Sequence, residues 1–272
     1  MTAPCWVGTS WKMNKTLADA RAYVDELSAH ELPAGVQPFL LPPHTALAAV
    51  RDALPTGSPI LLGAQNAHWA TDGEATGEIS MRMAADAGAT LIEMGHSERR
   101  AQFGETDETV ARKAAAAVGY GLIPLICVGE PGPVRQDGKA EAYVEAQLTA
   151  ALSRLSPAEV ETVIIAYEPI WSIGAAGRPA APDQIAPVMA RIADVLDRSS
   201  SSGSVRAVLY GGSVSTDNGQ AILVLPHVDG LFVGRAAWSA TGFLDLLRLA
   251  ARTSQRTSGP ERTRRTHDLR LQ

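Results

Sequence analysis

Lys12 in SWKMNK, His96 in GHSERR and Glu168 in YEPIW place an ammonium, an imidazole and a carboxylate in distant parts of the chain. Carboxylates and imidazoles are the usual general acids and bases, and an ammonium group stabilises developing negative charge. Each of the three follows a short apolar run and has polar company: Ser10 and Asn14 near Lys12, and Glu98, Arg99 and Arg100 after His96. Gln65 and Asn66 follow another such run. Singly, Lys12 reads as a solvated lysine, His96 as a hydrogen-bonded structural histidine and Glu168 as a loop cap. Jointly, three such residues at the ends of apolar runs read as a site.

Glycines add a candidate anion site. Tyr210-Gly211-Gly212-Ser213-Val214 and Val233-Gly234 each follow an apolar run. Glycine lets backbone N–H groups approach an anion closely. A pair of tight turns is the plainer reading of the same residues. Residues 168–179 (EPIWSIGAAGRP) carry apolar Ile170, Trp171 and Ile173 between Pro169 and Gly177-Arg178-Pro179. Stiff apolar content between two hinges suits a lid, and a static Ω-loop is the alternative.

These residues need a frame. Apolar runs lie at 5–9, 39–42, 60–64, 90–94, 122–128, 162–167, 206–210 and 230–234. They are continuously apolar rather than alternating, as strands buried on both faces are. Amphipathic segments lie between them, near 16–30, 44–54, 79–88, 105–119, 139–154, 182–198, 215–224 and 241–252. Thr45, Ser80, Thr106, Asp183 and Ser215 are suitable N-caps, and Gly88 and Gly119 suitable stops. Strict alternation of strand and helix predicts a parallel sheet, and eight units predict a closed (β/α)8 barrel of class α/β. A doubly wound open sheet is the other arrangement. In a barrel the site lies at the C-terminal ends of the strands, with phosphate bound by loops seven and eight.

Composition narrows the function classes. The chain has 272 residues, 46% hydrophobic and 19% charged, which fits a globular protein. A net charge of −5 argues against a general nucleic-acid binder. No apolar run is long enough to span a membrane, and MTAPCWVGTSWKMNK lacks the order of a signal peptide. Two cysteines fit a reduced, cytoplasmic setting. The six histidines show no paired ligand spacing, so no metal is expected. Residues 253–272 carry five Arg against Glu261 and Asp268 and few apolar groups. They are expected to be a disordered basic tail after a single domain over 1–252.

The motifs SWKMNKT (10–16), GAQN (63–66), TGEIS (76–80), EMGHSERR (93–100), FGE (103–105), CVGE (127–130), AYEPIWSIG (166–174), YGGSV (210–214) and DGLFVG (229–234) resemble those of triosephosphate isomerase. They run in that family's order over all but the tail. The resemblance implies a TIM barrel, usually dimeric, that interconverts a ketose phosphate and an aldose phosphate through an enediolate. It implies Glu168 as the base and His96 as a neutral electrophile, as is known for triosephosphate isomerase. Lys12 would offset negative charge, Glu98 would stand beside the site, and Cys127 would pack near the fifth strand. The backbone N–H groups of Gly174, Ser213 and Gly234 would cradle phosphate. Pro169, Ile170, Trp171, Ser172, Ile173, Gly174, Ala175 and Ala176 would form the lid. Thr76 would reach across a homodimer.

Three departures bear on the substrate. Ser10 stands where the family usually has Asn, Arg235 replaces the second of two glycines, and the lid's far hinge reads GAAGRPA. GTSWKMNKT and VGRAAW are similar to a tetrulose-phosphate branch associated with erythritol-type catabolism. Asn has about two more side-chain heavy atoms than Ser, about what one extra CHOH unit adds to a sugar. Ser10 would thus make room for a tetrulose phosphate such as L-erythrulose 1-phosphate. Arg235 would lend charge to the phosphate or point to solvent. The alternatives are an authentic triosephosphate isomerase acting on dihydroxyacetone phosphate and a phosphate-binding barrel without catalysis.

Overall fold

The structure is a computed structural model that describes residues 3–174 and 177–257. Among the described residues eight strands close into a parallel barrel, β1 pairing with both β2 and β8. In chain order the elements are β1 (Cys5–Ser10), α1 (Leu17–Ser28), β2 (Val36–Leu41), α2 (His44–Ala53), β3 (Leu61–Ala64), α3 (Met81–Asp86), β4 (Leu91–Met94), α4 (Ser97–Phe103), α5 (Asp107–Gly119) and β5 (Ile123–Val128). Then come α6 (Gly132–Gln136), α7 (Ala140–Leu152), α8 (Pro157–Val160), β6 (Ile164–Tyr167), α9 (Pro182–Ser199), β7 (Ala207–Tyr210), α10 (Gly219–Leu223), β8 (Gly230–Val233) and α11 (Ala240–Thr257). The (β/α)8 expectation holds, and the open sheet is excluded by the β1–β8 pairing.

Side-chain parity along the strands separates two apolar layers. Trp6, Phe39, Leu41, Leu91, Leu125, Cys127, Ile164, Ala166, Ala207, Leu209 and Phe232 fill the barrel interior. Their neighbours in sequence, such as Val7, Leu40, Ile92, Ile126, Ile165 and Leu231, pack outward among the helices. Burial of both faces explains the continuously apolar strands.

Several boundaries differ from expectation. β2 begins three residues early, at Val36, because β1 pairs with it from there, while β3 joins only from Phe39 onward. Pro38 therefore sits where one side of the strand needs no ladder. Ser80 and Thr106 cap α3 and α5 as expected. Thr45, Asp183 and Ser215 do not cap: Pro43, Ala181 and Asn218 hold those positions. Asp183 lies instead in the first turn of α9, where its charge suits the helix dipole. Ser215 accepts from the Asp217 N–H in a turn that delays α10. Gly88 follows α3 with φ +106, whereas Gly119 is the last residue of α5 and Gly121 takes the left-handed turn. The last helix passes the expected boundary at 252. Thr253 is buried and its hydroxyl donates to the Leu249 carbonyl at 2.9 Å, which continues α11. Residues 258–272 of the expected tail lie outside the described residues.

Candidate active site

Period-two parity carries the interior face of the barrel up to its mouth. On β1 it runs through Trp6 to Ser10, on β4 through Leu91 to Glu93, and on β6 through Ile164 and Ala166 to Glu168. Polar groups therefore emerge only at the C-terminal ends of the strands. Ser10, Lys12, His96, Glu98, Glu168, Gly174, Ser213, Gly234 and Arg235 line one cavity of about 240 Å³. A larger cavity of about 710 Å³ lies at the opposite, N-terminal face, around Cys5, Trp6 and His227. None of Lys12, His96 and Glu168 lines it, so the smaller cavity is the candidate site.

Lys12 follows β1 in a left-handed conformation with φ 53, which costs a residue with a side chain about 1–3 kcal/mol. Gln65 holds this backbone, its Nε2 donating to the carbonyls of Lys12 at 3.0 Å and Leu41 at 2.9 Å. The Lys12 Nζ then reaches Glu98 Oε1 at 2.6 Å. Asn66 belongs to a neighbouring network, accepting from the buried Lys113 at 2.7 Å.

His96 precedes α4, and its Nδ1 accepts the Glu98 backbone N–H at 3.1 Å. Burial, then the Lys12 charge, pushes its pKa down to about 4. The ring is neutral near pH 7, and with Nδ1 accepting, its proton sits on Nε2. That nitrogen lies 3.4 Å from Glu168 Oε2. A neutral imidazole makes this a polar contact rather than an ion pair.

Glu168 is buried, and burial followed by the Glu93 charge raises its pKa to about 8. Its Oε2 is solvent-shielded and has no hydrogen-bond partner among the described residues. The Cys127 thiol bonds to this carboxyl. Burial holds that thiol protonated, well above its ordinary range, so it donates and does not attack. Gly211 leaves room in front: a Cβ there would stand 2.7 Å from Glu168 Cγ.

The lid segment begins with a 3-10 turn, Ile170–Ser172. Three tethers hold it. Trp171 Nε1 donates to Glu130 Oε1 at 2.8 Å, the Ser213 N–H donates to Ser172 Oγ at 3.1 Å, and Arg235 Nη2 donates to the Gly174 carbonyl at 2.8 Å. The Ser213 N–H expected in a phosphate cradle is thus engaged by the lid here. The Arg235 guanidinium grips the lid at the cavity mouth. Pro169 and Ile173 flank the turn, while Ala175 and Ala176 lie outside the described residues. Thr76 is exposed on the loop before α3, outside the cavity.

Two carboxylates went unremarked in the sequence. Glu130 is fully buried and accepts from Trp171, Arg135 and Tyr167. Its signal was its place two residues after β5. Glu93 is 3% exposed and accepts from Ser10 Oγ at 3.0 Å. A charged residue inside the run LIEM, where both strand faces are buried, was its signal. Among the described residues no His, Cys, Asp and Glu cluster is arranged to hold a metal ion, and no helix is long and apolar enough to cross a membrane.

Comparison with known proteins places this geometry. The triosephosphate isomerase family pattern matches residues 5–250. The L-erythrulose-1-phosphate isomerase of Mycolicibacterium smegmatis is 49% identical over 252 residues, 92% of this chain and 94% of that protein. Proteins of the same name from Mesorhizobium japonicum and Brucella abortus are 48% and 46% identical over 250 residues each. Those alignments cover 90% of this chain in both cases, and 97% and 96% of the relatives.

Proposed function

We infer the function from the premise that the chain belongs to the triosephosphate isomerase family. It is a sugar-phosphate isomerase, in which a proton moves between adjacent carbons while carbonyl and hydroxyl exchange. The substrate we propose is L-erythrulose 1-phosphate, the compound in its relatives' names. The observation that carries the chemistry is the buried Glu168 oxygen without a partner, 3.4 Å from a neutral imidazole nitrogen. A barrel that only binds phosphate has no use for such a costly group.

Substrate structure fixes the route. C1 of L-erythrulose 1-phosphate bears the ester, so the C2 carbonyl exchanges with the C3 hydroxyl. Glu168 removes the C3 proton, giving a C2–C3 enediolate, and returns a proton to C2. The carbonyl then stands at C3, and the product is a tetrulose 4-phosphate. On a triose phosphate the same shift yields an aldose. His96 Nε2–H donates its proton to the C2 oxygen and takes the C3 hydroxyl proton in its place, and the Lys12 ammonium balances the enediolate and phosphate charge. Gly174, Ser213 and Gly234 offer backbone N–H groups to the phosphate once the Ser213–Ser172 bond is exchanged for it. The lid, 169–176, excludes water from the enediolate.

The protein is proposed to act as a homodimer in the cytoplasm. Met13 is 96% exposed beside Lys12, and the Thr76 loop is exposed as well. A second subunit covering Met13 would remove that apolar surface from water. Two buried free thiols suit a reducing compartment. The barrel is taken as one domain, with the basic tail after it lending nothing to the site.

Steady-state kinetics on a small panel test the substrate. We expect kcat/KM for L-erythrulose 1-phosphate to exceed that for dihydroxyacetone phosphate by at least about tenfold, or about 1.4 kcal/mol. The opposite order would make this a triosephosphate isomerase with neutral changes at Ser10 and Arg235.

A further inference from the structure

Glu93 is a carboxyl where the frame calls for an apolar side chain. It lies on the interior face of β4 one step above Leu91 and level with Leu125 of β5, in a barrel interior otherwise lined largely by apolar side chains. Among the described residues no Lys, Arg or His forms an ion pair with it, and the Ser10 hydroxyl is its hydrogen-bond donor. Burial pushes its pKa up to about 7, against the lowering effect of that bond. A buried acid with no ion-pair partner, eased only by the Ser10 bond and the more distant Lys12 charge, is a cost to the fold, and such groups gather at functional sites.

Ser10 connects Glu93 to the substrate cavity. Glu93 lies beneath that cavity, and Ser10 is part of its lining. Ser10 is clamped twice: Trp238 Nε1 donates to its carbonyl at 3.1 Å, and its Oγ donates to Glu93 Oε2 at 3.0 Å. A hydroxyl has one proton. When Glu93 is ionised that proton is committed to it, and Ser10 Oγ presents only lone pairs to the cavity. A lone-pair surface at a fixed point accepts from a hydroxyl of the ligand.

We propose that Glu93 is a positioning residue that fixes the Ser10 hydroxyl as an acceptor for the terminal C4 hydroxyl of a four-carbon substrate, and so sets chain-length preference. The proposal rests on the four-carbon reading above. A triose phosphate lacks this hydroxymethyl group and gains nothing from the pair. A site built to bond a hydroxyl discriminates strongly against the analogue that lacks it.

The test compares kcat/KM for L-erythrulose 1-phosphate with that for dihydroxyacetone phosphate in Glu93→Leu, Glu93→Gln, Ser10→Ala and the double variants. The ratio of the two cancels whatever Glu93 does to Glu168 with both substrates. Leu matches the interior side chains below and beside it, Leu91 and Leu125, so Glu93→Leu is expected to fold. It should lower the ratio at least about tenfold, as should Ser10→Ala. Gln keeps an acceptor without the charge, and Glu93→Gln should lower the ratio only about threefold. In a Ser10→Ala background neither Glu93 substitution should change the ratio further. Should Glu93→Leu fail to fold, the Glu93→Gln comparison with and without Ser10→Ala still decides. An unchanged ratio in the Glu93 variants, or one that falls equally in both backgrounds, overturns the proposal and leaves the substrate reading intact. Wild-type enzyme that ignores L-erythrulose 1-phosphate overturns the substrate reading, and the proposal with it.

Discussion

The base of this site conflicts with the stability of its own barrel. Glu168 has a folded-state pKa of about 8 against an ordinary 4.5, so the folded chain holds the proton more tightly than the unfolded one. Linkage then makes the barrel lose stability as pH rises from about 4.5 through about 8. Glu168→Gln should abolish that loss. Thermal melts of the variant and wild type should coincide near pH 4 and separate by several degrees near pH 9, the variant higher. Coincidence at both pH values would mean that the carboxylate is not held in a desolvated place. Lys12, His96 and Glu168 were legible in the sequence because each lies within two residues of a strand's C-terminal end. Glu93 was not, because a lone acid in an apolar run gives no sign of which face it occupies until strand parity is fixed. Gln65 was visible as a polar residue after β3, but its hold on the Lys12 carbonyl depends on a contact between residues 53 apart.

At the level of elements, the segment after β6 shows what sequence supplies and withholds. Its apolar residues and hinge glycines predicted a lid. Its tethers come from other loops: Glu130 after β5, Ser213 after β7 and Arg235 after β8. No local pattern encodes those meetings, since they follow from barrel closure. Trp171→Phe removes the indole N–H that Glu130 accepts, and a bond to a carboxylate is worth about 1.5–3 kcal/mol. Hydrogen exchange across residues 168–174 should then quicken by roughly tenfold or more, with exchange in α7 unchanged. Equal protection in variant and wild type would show that Glu130 does not restrain the lid. The shifted caps at Thr45, Asp183 and Ser215 have a related cause. Any capping residue type near a helix start looks suitable in sequence, while the turn that precedes the helix selects among them.

For the whole molecule, alternation and continuous apolarity gave the closed barrel its signature, and the end of the chain was read too early. Thr253 is a buried residue of the last helix, which among the described residues runs through Thr257. A chain ending at Thr257 should keep its melting temperature and activity, because residues 258–272 bring charge and few apolar groups. A chain ending at Arg252 should melt several degrees lower, since it loses buried Thr253 and its bond to Leu249. Equal melting of the two would make the last turn of α11 dispensable. The account as a whole turns on one event, the transfer of a proton from C3 of a four-carbon ketose phosphate by Glu168. Proton NMR of L-erythrulose 1-phosphate in D2O observes it directly. Wild-type enzyme should erase the C3–H signal as a tetrulose 4-phosphate appears, and Glu168→Gln should slow that loss by at least about 10²-fold. Exchange at the wild-type rate in Glu168→Gln, or turnover of dihydroxyacetone phosphate with no exchange at C3 of the tetrulose, would contradict the account.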